Sequence, residues 1–397
     1  METTGKSKLI CVDLFSGAGG LSEGLSEAGF NSIYANEINP IYASTYATNH
    51  PSAFVSVDDI RDIDAQITLD MLGIKPGELD LLAGGPPCQG FSINAPKRSN
   101  KDPRNHLFRE FLRFVEAFQP RAVLIENVPG LVSFSNGNTL HAIIEALADL
   151  GYGADVRILG APYYGVPQMR WRTLVIALRG SEVPAAAFPQ PVRHAPLRAN
   201  FTTKFNGKEI VQRPNEETST PFTTLREAIG DLPILRNGER GERVKEYPVD
   251  AKCEYQRKMR MGSLGVLNHE APRLAEINLE RMRYVEPGGN WTSIPDDLLP
   301  KGMREARKSD HTKRYGRPRW NEISSTILTK CDPHWGAFFH PDQDRSFTVR
   351  EAARIQSFPD TYTFGGSMAE QFAQVGNAVP PLLASAVGNS LREILEG

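Results

Sequence analysis

Long apolar runs are missing from this chain of 397 residues. No stretch approaches the roughly eighteen consecutive apolar residues that a membrane-spanning helix needs, so none is expected. The opening residues, Met1 to Lys8, are polar and lead straight into a strand-like run, with no apolar signal core. A cytoplasmic location follows as the expectation. Cysteine is scarce. The four present, Cys11, Cys88, Cys253 and Cys331, form no Cys-x-x-Cys pair. That scatter speaks against a disulfide framework and against a zinc site, and no metal is expected. Net charge is nearly absent too. At −2 it gives no global attraction to nucleic acid, so any phosphate-binding face has to be local. One stretch qualifies. Between Lys301 and Trp320, the residues Lys301, Arg304, Arg307, Lys308, Lys313, Arg314, Arg317 and Arg319 are opposed only by Glu305 and Asp310. Such a run is often a solvated surface, and it can also be a phosphate-binding face.

What is present is an ordinary globular composition at a length that suggests two domains. Strand-like runs occur at Lys8–Asp13, Asn31–Glu37, Phe54–Val57, Leu79–Ala83 and Arg121–Ile125, and again near Ala154–Leu159 and Arg172–Leu178. Helical patterns separate them. One follows the glycine-rich turn Phe15–Gly20, and one opens at Pro40. One runs from His106 to Phe118 with Leu107, Phe111, Phe114, Val115 and Phe118 on its apolar face, and one runs from Leu140 to Leu150. This alternation predicts an α/β fold with a doubly wound, mostly parallel sheet over residues 1–190. Beyond Gly180 the chain turns Pro-rich and polar, which reads as a linker into a second, irregular domain over 191–365. Ser92–Asn105 is too long for a plain connection and reads as a mobile functional loop. Thr348 and Glu351 form a capping box. Pro380-Pro381 opens a last helix with Leu383, Ala386, Val387, Leu391 and Ile394 on one face.

Four stretches carry chemistry. Gly84-Gly85-Pro86-Pro87-Cys88 follows the fourth strand, and the glycines and prolines fix a sharp turn there. A cysteine at a strand's carboxyl end is where an α/β enzyme places a nucleophile; on this turn alone, a small buried thiol stands level with that reading. Phe15-x-Gly17-x-Gly19 links a strand to a helix, where glycines let a ligand approach and the helix start favours an anion. With Glu37 and Asp59 ending the next two strands, the set favours a nucleoside-containing cofactor over plain turns and surface acids. Glu126 ends the fifth strand, beside Cys88 at the same sheet edge, where a carboxyl can serve as a proton donor; an ion-paired strand-end Glu is the plainer reading. Arg170 and Arg172 alternate at the start of a strand and so share a side. By spacing alone they rank first as surface residues paired with acids.

Taken in order, these pieces resemble the bacterial-type DNA (cytosine-5) methyltransferase family. The residues that carry the resemblance are Asp13–Gly20, Glu37, Asp59-Ile60, Gly85–Ser92, Glu126-Asn127-Val128, Gln168–Arg172, Arg350–Pro359 and Gln374–Pro380. They span nearly the whole chain, and Gly180–Ser325 matches by position alone.

The resemblance implies a Rossmann-like S-adenosylmethionine-dependent methyltransferase fold with a target-recognition domain, and a C-terminal segment, 366–397, that returns to the catalytic domain. It implies methyl transfer from S-adenosyl-L-methionine to carbon 5 of a flipped-out cytosine in a specific double-stranded DNA sequence. Cys88 would attack carbon 6, a step suited to a soft thiolate that is also a good leaving group. Glu126 would hold the base, Arg172 would contact it, and Arg170 would serve nearby phosphates. Phe15, Gly17, Gly19, Glu37, Ile38, Asp59, Ile60, Pro87, Leu107, Asn377 and Val379 would form the cofactor site, with Glu37 on the ribose hydroxyls and Asp59 on the adenine amino group. Gln89, Ser92, Arg104, Arg317, Arg319 and Thr326 would meet DNA, and Thr326-Ile327 resembles the pair that ends the recognition region. The expected partners are double-stranded DNA and, functionally, a cognate restriction endonuclease, with the protein a monomer. Two alternatives remain open: the same chemistry on tRNA, and a DNA-binding protein without turnover.

Overall fold

The structure is a computed structural model that describes residues 8–87, 107–240 and 244–397. Seven strands form one sheet: β1 (Leu9–Leu14), β2 (Phe30–Asn36), β3 (Phe54–Ser56), β4 (Leu81–Gly84), β5 (Ala122–Asn127), β6 (Tyr152–Gly160) and β7 (Trp171–Arg179), in the order β3-β2-β1-β4-β5-β7-β6. β1 to β5 pair in parallel, while β7 runs antiparallel to both β5 and β6. β1, β4 and β5 read as near-continuous apolar runs because a parallel sheet is covered on both faces. The strand order reverses between β1 and β4, and ligands of open α/β sheets sit at the carboxyl ends of strands at such a point.

Helices α1 (Gly20–Glu27), α2 (Pro40–Asn49), α3 (Ala65–Met71), α4 (Leu107–Phe118), α5 (Gly130–Ser133) and α6 (Asn138–Asp149) follow in chain order. Asn39 and Asp64 cap α2 and α3 by accepting from backbone N–H groups of the first turn. α3 has no counterpart among the helical patterns read from the sequence. On α4, Phe111, Phe114, Val115 and Phe118 repeat at helical spacing and are fully buried, each contributing about 1.5–3 kcal/mol by leaving water.

The described residues fall into two compact units. The first runs to Gly165 and takes in Trp171–Pro221 and Val379–Gly397; the second consists of Val166–Arg170 and Phe222–Ala378. These divisions differ from the breaks expected at 190/191 and 365/366. Residues beyond 190 stay with the first unit because Ile158 of β6 bonds Ile210 O at 2.7 Å and Gln212 N bonds Ile158 O at 3.0 Å. The second unit is built from short helices, α7 (Leu225–Ile229), α8 (Glu254–Arg260), α9 (Glu276–Arg283), α10 (Lys301–Arg304), α11 (Val349–Ile355) and α12 (Met368–Asn377). Its apolar cluster gathers Met282, Val285, Trp291, Ile294, Tyr315 and Phe339. Thr348 caps α11 with the full reciprocal box to Glu351.

The final helix, α13 (Pro381–Glu396), packs against α1 within the first unit. Its buried residues are Pro381, Leu383, Ala384, Ser385, Val387, Gly388, Leu391 and Leu395. The face is therefore turned from the expected one: Ala386 and Ile394 are only partly buried, and small residues take their place. No helix among the described residues is long and apolar enough to cross a membrane.

Candidate active site

The parallel strands deliver their carboxyl ends to one edge of the first unit. After β1 the chain makes a tight turn in which Phe15, Gly17 and Gly19 all have positive φ (58°, 57° and 94°). Such backbone is costly for a residue with a side chain, so Phe15 is held there by its surroundings. Ser16 N donates to Asn36 O at 3.0 Å, which ties the turn to the end of β2. A Cβ at Gly17 would meet nothing within 4 Å, so open space adjoins the turn there.

Glu37 follows β2. Its Oε2 accepts from Gly17 N at 2.9 Å and its Oε1 from Asn39 N at 2.8 Å. Burial raises its pKa, opposed by those two backbone donors. Each carboxylate oxygen keeps a further lone pair for a ligand hydroxyl. Ile38 beside it is 60 % exposed, while Ile60 is buried. Asp59 is gripped by Arg61, whose Nε and Nη2 donate to its Oδ1 and Oδ2 at 2.9 and 2.5 Å. The Arg61 guanidinium brings the Asp59 pKa down to about 2.

Asp13, near the end of β1, is buried. Its Oδ2 accepts from Ser22 Oγ at 2.6 Å, while its Oδ1 has no hydrogen-bond partner among the described residues. Burial lifts its pKa to about 7 against the Ser22 bond, with Glu37 and Glu126 adding to the rise. A buried polar atom left open beside a glycine turn is the signature of a place for a polar ligand.

On the other side of β1, β4 ends in Gly84-Gly85-Pro86-Pro87. A Cβ at Gly84 would fall 2.2 Å from Leu14 O, so only glycine lets β4 lie this close to β1 there. Asn127 at the end of β5 donates from Nδ2 to Pro86 O at 3.1 Å and holds the double-proline turn to the neighbouring strand. Glu126 forms an ion pair with Arg172, both side chains being nearly buried. The pair forms because β7 runs antiparallel to β5, with Asn127 opposite Thr173, so the start of β7 lies at the end of β5. Burial lowers the Arg172 pKa, and the Glu126 carboxylate opposes that shift. A Cβ at Gly85 would lie 3.0 Å from Glu126 Oε2, so the glycine leaves room for the carboxylate next to the turn.

The surface reading of the two arginines is overturned: Arg170 is 3 % exposed and Arg172 9 %. The expected alternation along one strand does not apply to them, because β7 begins only at Trp171 and leaves Arg170 outside it. Within the second unit, Arg170 donates to Ile327 O (3.2 Å), Gly376 O (2.8 Å) and Ala378 O (3.1 Å). These contacts make it an anchor for the end of α12. Gln168 works alongside it, accepting from Ile327 N at 3.1 Å and donating to Ile355 O at 3.2 Å.

Other candidates are placed as follows. Leu107 opens α4 and packs partly buried against the core. Asn377 is an exposed residue at the end of α12, and Val379 is half-buried in the first unit. In the second unit Arg317 pairs with Asp344 at 3.4 Å and Arg319 with Glu322 at 2.9 Å, and the Thr326 hydroxyl donates to Met169 O. Cys88, Gln89, Ser92 and Arg104, with the rest of the Ser92–Asn105 segment, lie outside the described residues. Cys11 and Cys331 are buried and burial pushes both thiols up, while Cys253 is half-buried. No metal-binding cluster of His, Cys, Asp or Glu occurs among the described residues. A cavity of about 460 Å³ in the second unit is lined by Arg240, Asn268, Glu270 and Gln371 among others. None of the nominated residues lines it, so it is not the site described here. Asp13 and Gly85 are the site residues that sequence reasoning leaves without a role. Both sit inside matched motifs, but their meaning depends on neighbours from other strands.

The sequence profile of the C-5 cytosine-specific DNA methylases matches residues 9–393. The chain is 37 % identical to the type II methyltransferase M.AgeI of Thalassovita gelatinovora, over 96 % of this chain and 98 % of the relative. It is 36 % identical to the type II methyltransferase M.DdeI of Desulfomicrobium norvegicum, over 96 % and 88 %. Its fold resembles that of a prophage-encoded E. coli protein assigned as a DNA modification methyltransferase, with a TM-score of 0.74 at 24 % identity, covering 98 % of this chain and all of the other. The S. pombe Dnmt2 methyltransferase gives 0.59 at 18 %, with the same coverage. The chain therefore belongs to the C-5 cytosine-specific DNA methylase family and is a DNA (cytosine-5-)-methyltransferase.

Proposed function

We propose that the protein methylates carbon 5 of one cytosine, flipped out of a specific double-stranded DNA sequence, through a covalent adduct between Cys88 and carbon 6. The observation that carries this reading is the meeting of Glu126, Arg172 and the Pro86-Pro87 turn at the edge where the glycine turn also ends. S-adenosylmethionine, when bound, supplies a methyl group made electrophilic by its sulfonium. The residues at the edge fit it: space opens beside Gly17, Asp13 Oδ1 is an open buried acceptor, Glu37 suits a ribose diol, and Asp59 suits an adenine amino group. The start of α1 favours its carboxylate.

In this reading the Cys88 thiolate adds to carbon 6 and the ring electrons move to carbon 5, which becomes nucleophilic. Glu126, in its protonated form, donates to nitrogen 3 and accepts from the exocyclic amino group, so the negative charge that develops on the ring as the thiolate adds is taken up by that proton. Arg172 keeps the Glu126 carboxyl in one orientation. After methylation a base removes the carbon-5 proton, the ring double bond reforms, and the thiolate leaves. Asn127 fixes Pro86, and through it the backbone from which Cys88 follows by two residues. Gln89, Ser92, Arg104, Arg317, Arg319 and Thr326 are the proposed DNA contacts; Arg317 and Arg319 would exchange their exposed acidic partners for phosphates or base edges. A role beside a cognate restriction endonuclease is supported by the likeness to M.AgeI and M.DdeI.

The test is bisulfite sequencing of plasmid DNA from a methylation-free host that expresses the protein. Protected cytosines in one recurring sequence are expected, and none with Cys88→Ala. Protection that survives Cys88→Ala would rule out the proposed adduct.

A further inference from the structure

We infer that Arg113 is a positioning residue for cofactor recognition: from α4 it sets the turn that presents Asp59. This rests on the reading of Asp59 as the partner of the adenine amino group. Arg113 Nη2 donates to Ile60 O and its Nη1 to Ile63 O, both at 2.7 Å. The two carbonyls lie three residues apart on the turn that follows β3, so one planar guanidinium spans it. Nε is held in turn by Glu110 Oε2 at 3.1 Å on the same helix face, and the guanidinium lies 5.2 Å over the buried Phe114 ring. Arg113 is thus fixed to α4 at one end and to the turn at the other. The turn's own bonds are Asp62 N to Asp59 O at 2.8 Å and Arg61 N to Asp59 Oδ1 at 3.0 Å, and Asn36 at the end of β2 donates from Nδ2 to Asp58 O at 2.9 Å. Arg61 grips the Asp59 carboxylate but is 62 % exposed, so that pair is screened and follows the backbone rather than fixing it. The backbone just before Asp59 is thus held from β2, and the backbone that follows it, at Ile60 and Ile63, is held from α4, the helix that begins at Leu107.

The experiment compares S-adenosylhomocysteine with S-inosylhomocysteine, in which an oxo group replaces the amino group, as competitors of methyl transfer. The ratio of their affinities is independent of how much protein is folded, so simple destabilisation does not move it. The wild type is expected to favour the adenosyl compound by about tenfold or more, as for a hydrogen bond to a charged group. Arg113→Met should shrink the ratio by about threefold or more, and Arg113→Lys, which keeps a cation but not the fork, should fall between the two. Asp59→Asn is the control and should collapse the ratio. A wild-type ratio in Arg113→Met alongside a collapsed ratio in Asp59→Asn overturns the role of Arg113. A wild-type ratio in Asp59→Asn overturns the reading of Asp59 itself.

Discussion

Glu126 and Arg172 stand 46 positions apart in sequence and touch because two neighbouring strands run in opposite directions. Nearly buried, each depends on the other, since a lone charge there would be expensive. Glu126→Gln keeps the size and removes the charge. Its expected effect on methyl transfer is a fall in kcat of about a hundredfold or more, with a smaller change in KM for DNA. A kcat within a few-fold of wild type would remove Glu126 from the reaction. Position 126 was legible in the sequence because an apolar strand ends there. The burial of Arg172 was not, because alternation says which residues share a side and not which element covers them. Arg170 shows the same limit: its partners are carbonyls more than 150 positions away.

Between elements, the contact of α1 with α13 shows how small residues decide a packing distance. A Cβ at Gly24 would fall 2.3 Å from Pro381 O and 2.4 Å from Ala384 Cβ, and one at Gly388 would fall 2.7 Å from Ala28 Cβ. Two effects compete in Gly24→Ala. Helix propensity favours Ala by about 1 kcal/mol, while overpacking against a rigid backbone costs roughly 1–3 kcal/mol. The contacts are short enough that the clash should win. Thermal unfolding is expected to show a lower midpoint, and limited proteolysis earlier release of the C-terminal helix. A raised midpoint would mean that the helices separate freely and that the close contact does not matter. Helix α13 was legible from its Pro-Pro start and apolar repeat. Its face was misjudged because Ala384, Ser385 and Gly388 carry little hydrophobic signal, yet they bring the helix axes together.

Across the whole chain, the sheet followed from the alternation of apolar strands and helices, while the second unit did not. Its interior depends on charges that read as surface: Arg345 donates to both Glu351 oxygens at 2.7 Å, and Arg354 to Asp360 at 2.6 and 2.7 Å, all fully buried. Local pattern cannot reveal such pairs, because partners six residues apart, as these are, become buried only when distant elements cover them, as Asp231 does in accepting from Arg354 at 3.2 Å. His340 lies 3.6 Å from Glu351, and burial lowers its pKa to about 4, with Glu351 and Asp342 opposing and Arg345 and His269 reinforcing. Its folded pKa is thus below its unfolded value of about 6.5. The unfolded chain takes up this proton first, so the stability it confers is full above pH 6.5 and is lost progressively towards pH 4. Glu351, held well below the usual carboxylate range by Arg345 despite burial, acts in the same direction as pH falls through 4.5. Asp13, whose pKa burial lifts to about 7, works in the opposite direction, so the contribution of His340 is read as a difference: the midpoint of the wild type should fall relative to that of His340→Gln as the pH goes from 7 to 4. A difference between the two proteins that stays constant across this window would contradict the assignment.

The central claim concerns one bond, and it can be trapped. Duplex DNA in which 5-fluorocytosine replaces cytosine offers no carbon-5 proton to remove after methylation, so elimination of the thiolate is blocked. Incubated with S-adenosylmethionine, the protein should form a denaturation-resistant complex carrying one methyl group, with the base attached to the peptide that contains Cys88. A preparation that methylates ordinary DNA but forms no such complex, or forms it through another residue, would contradict the mechanism.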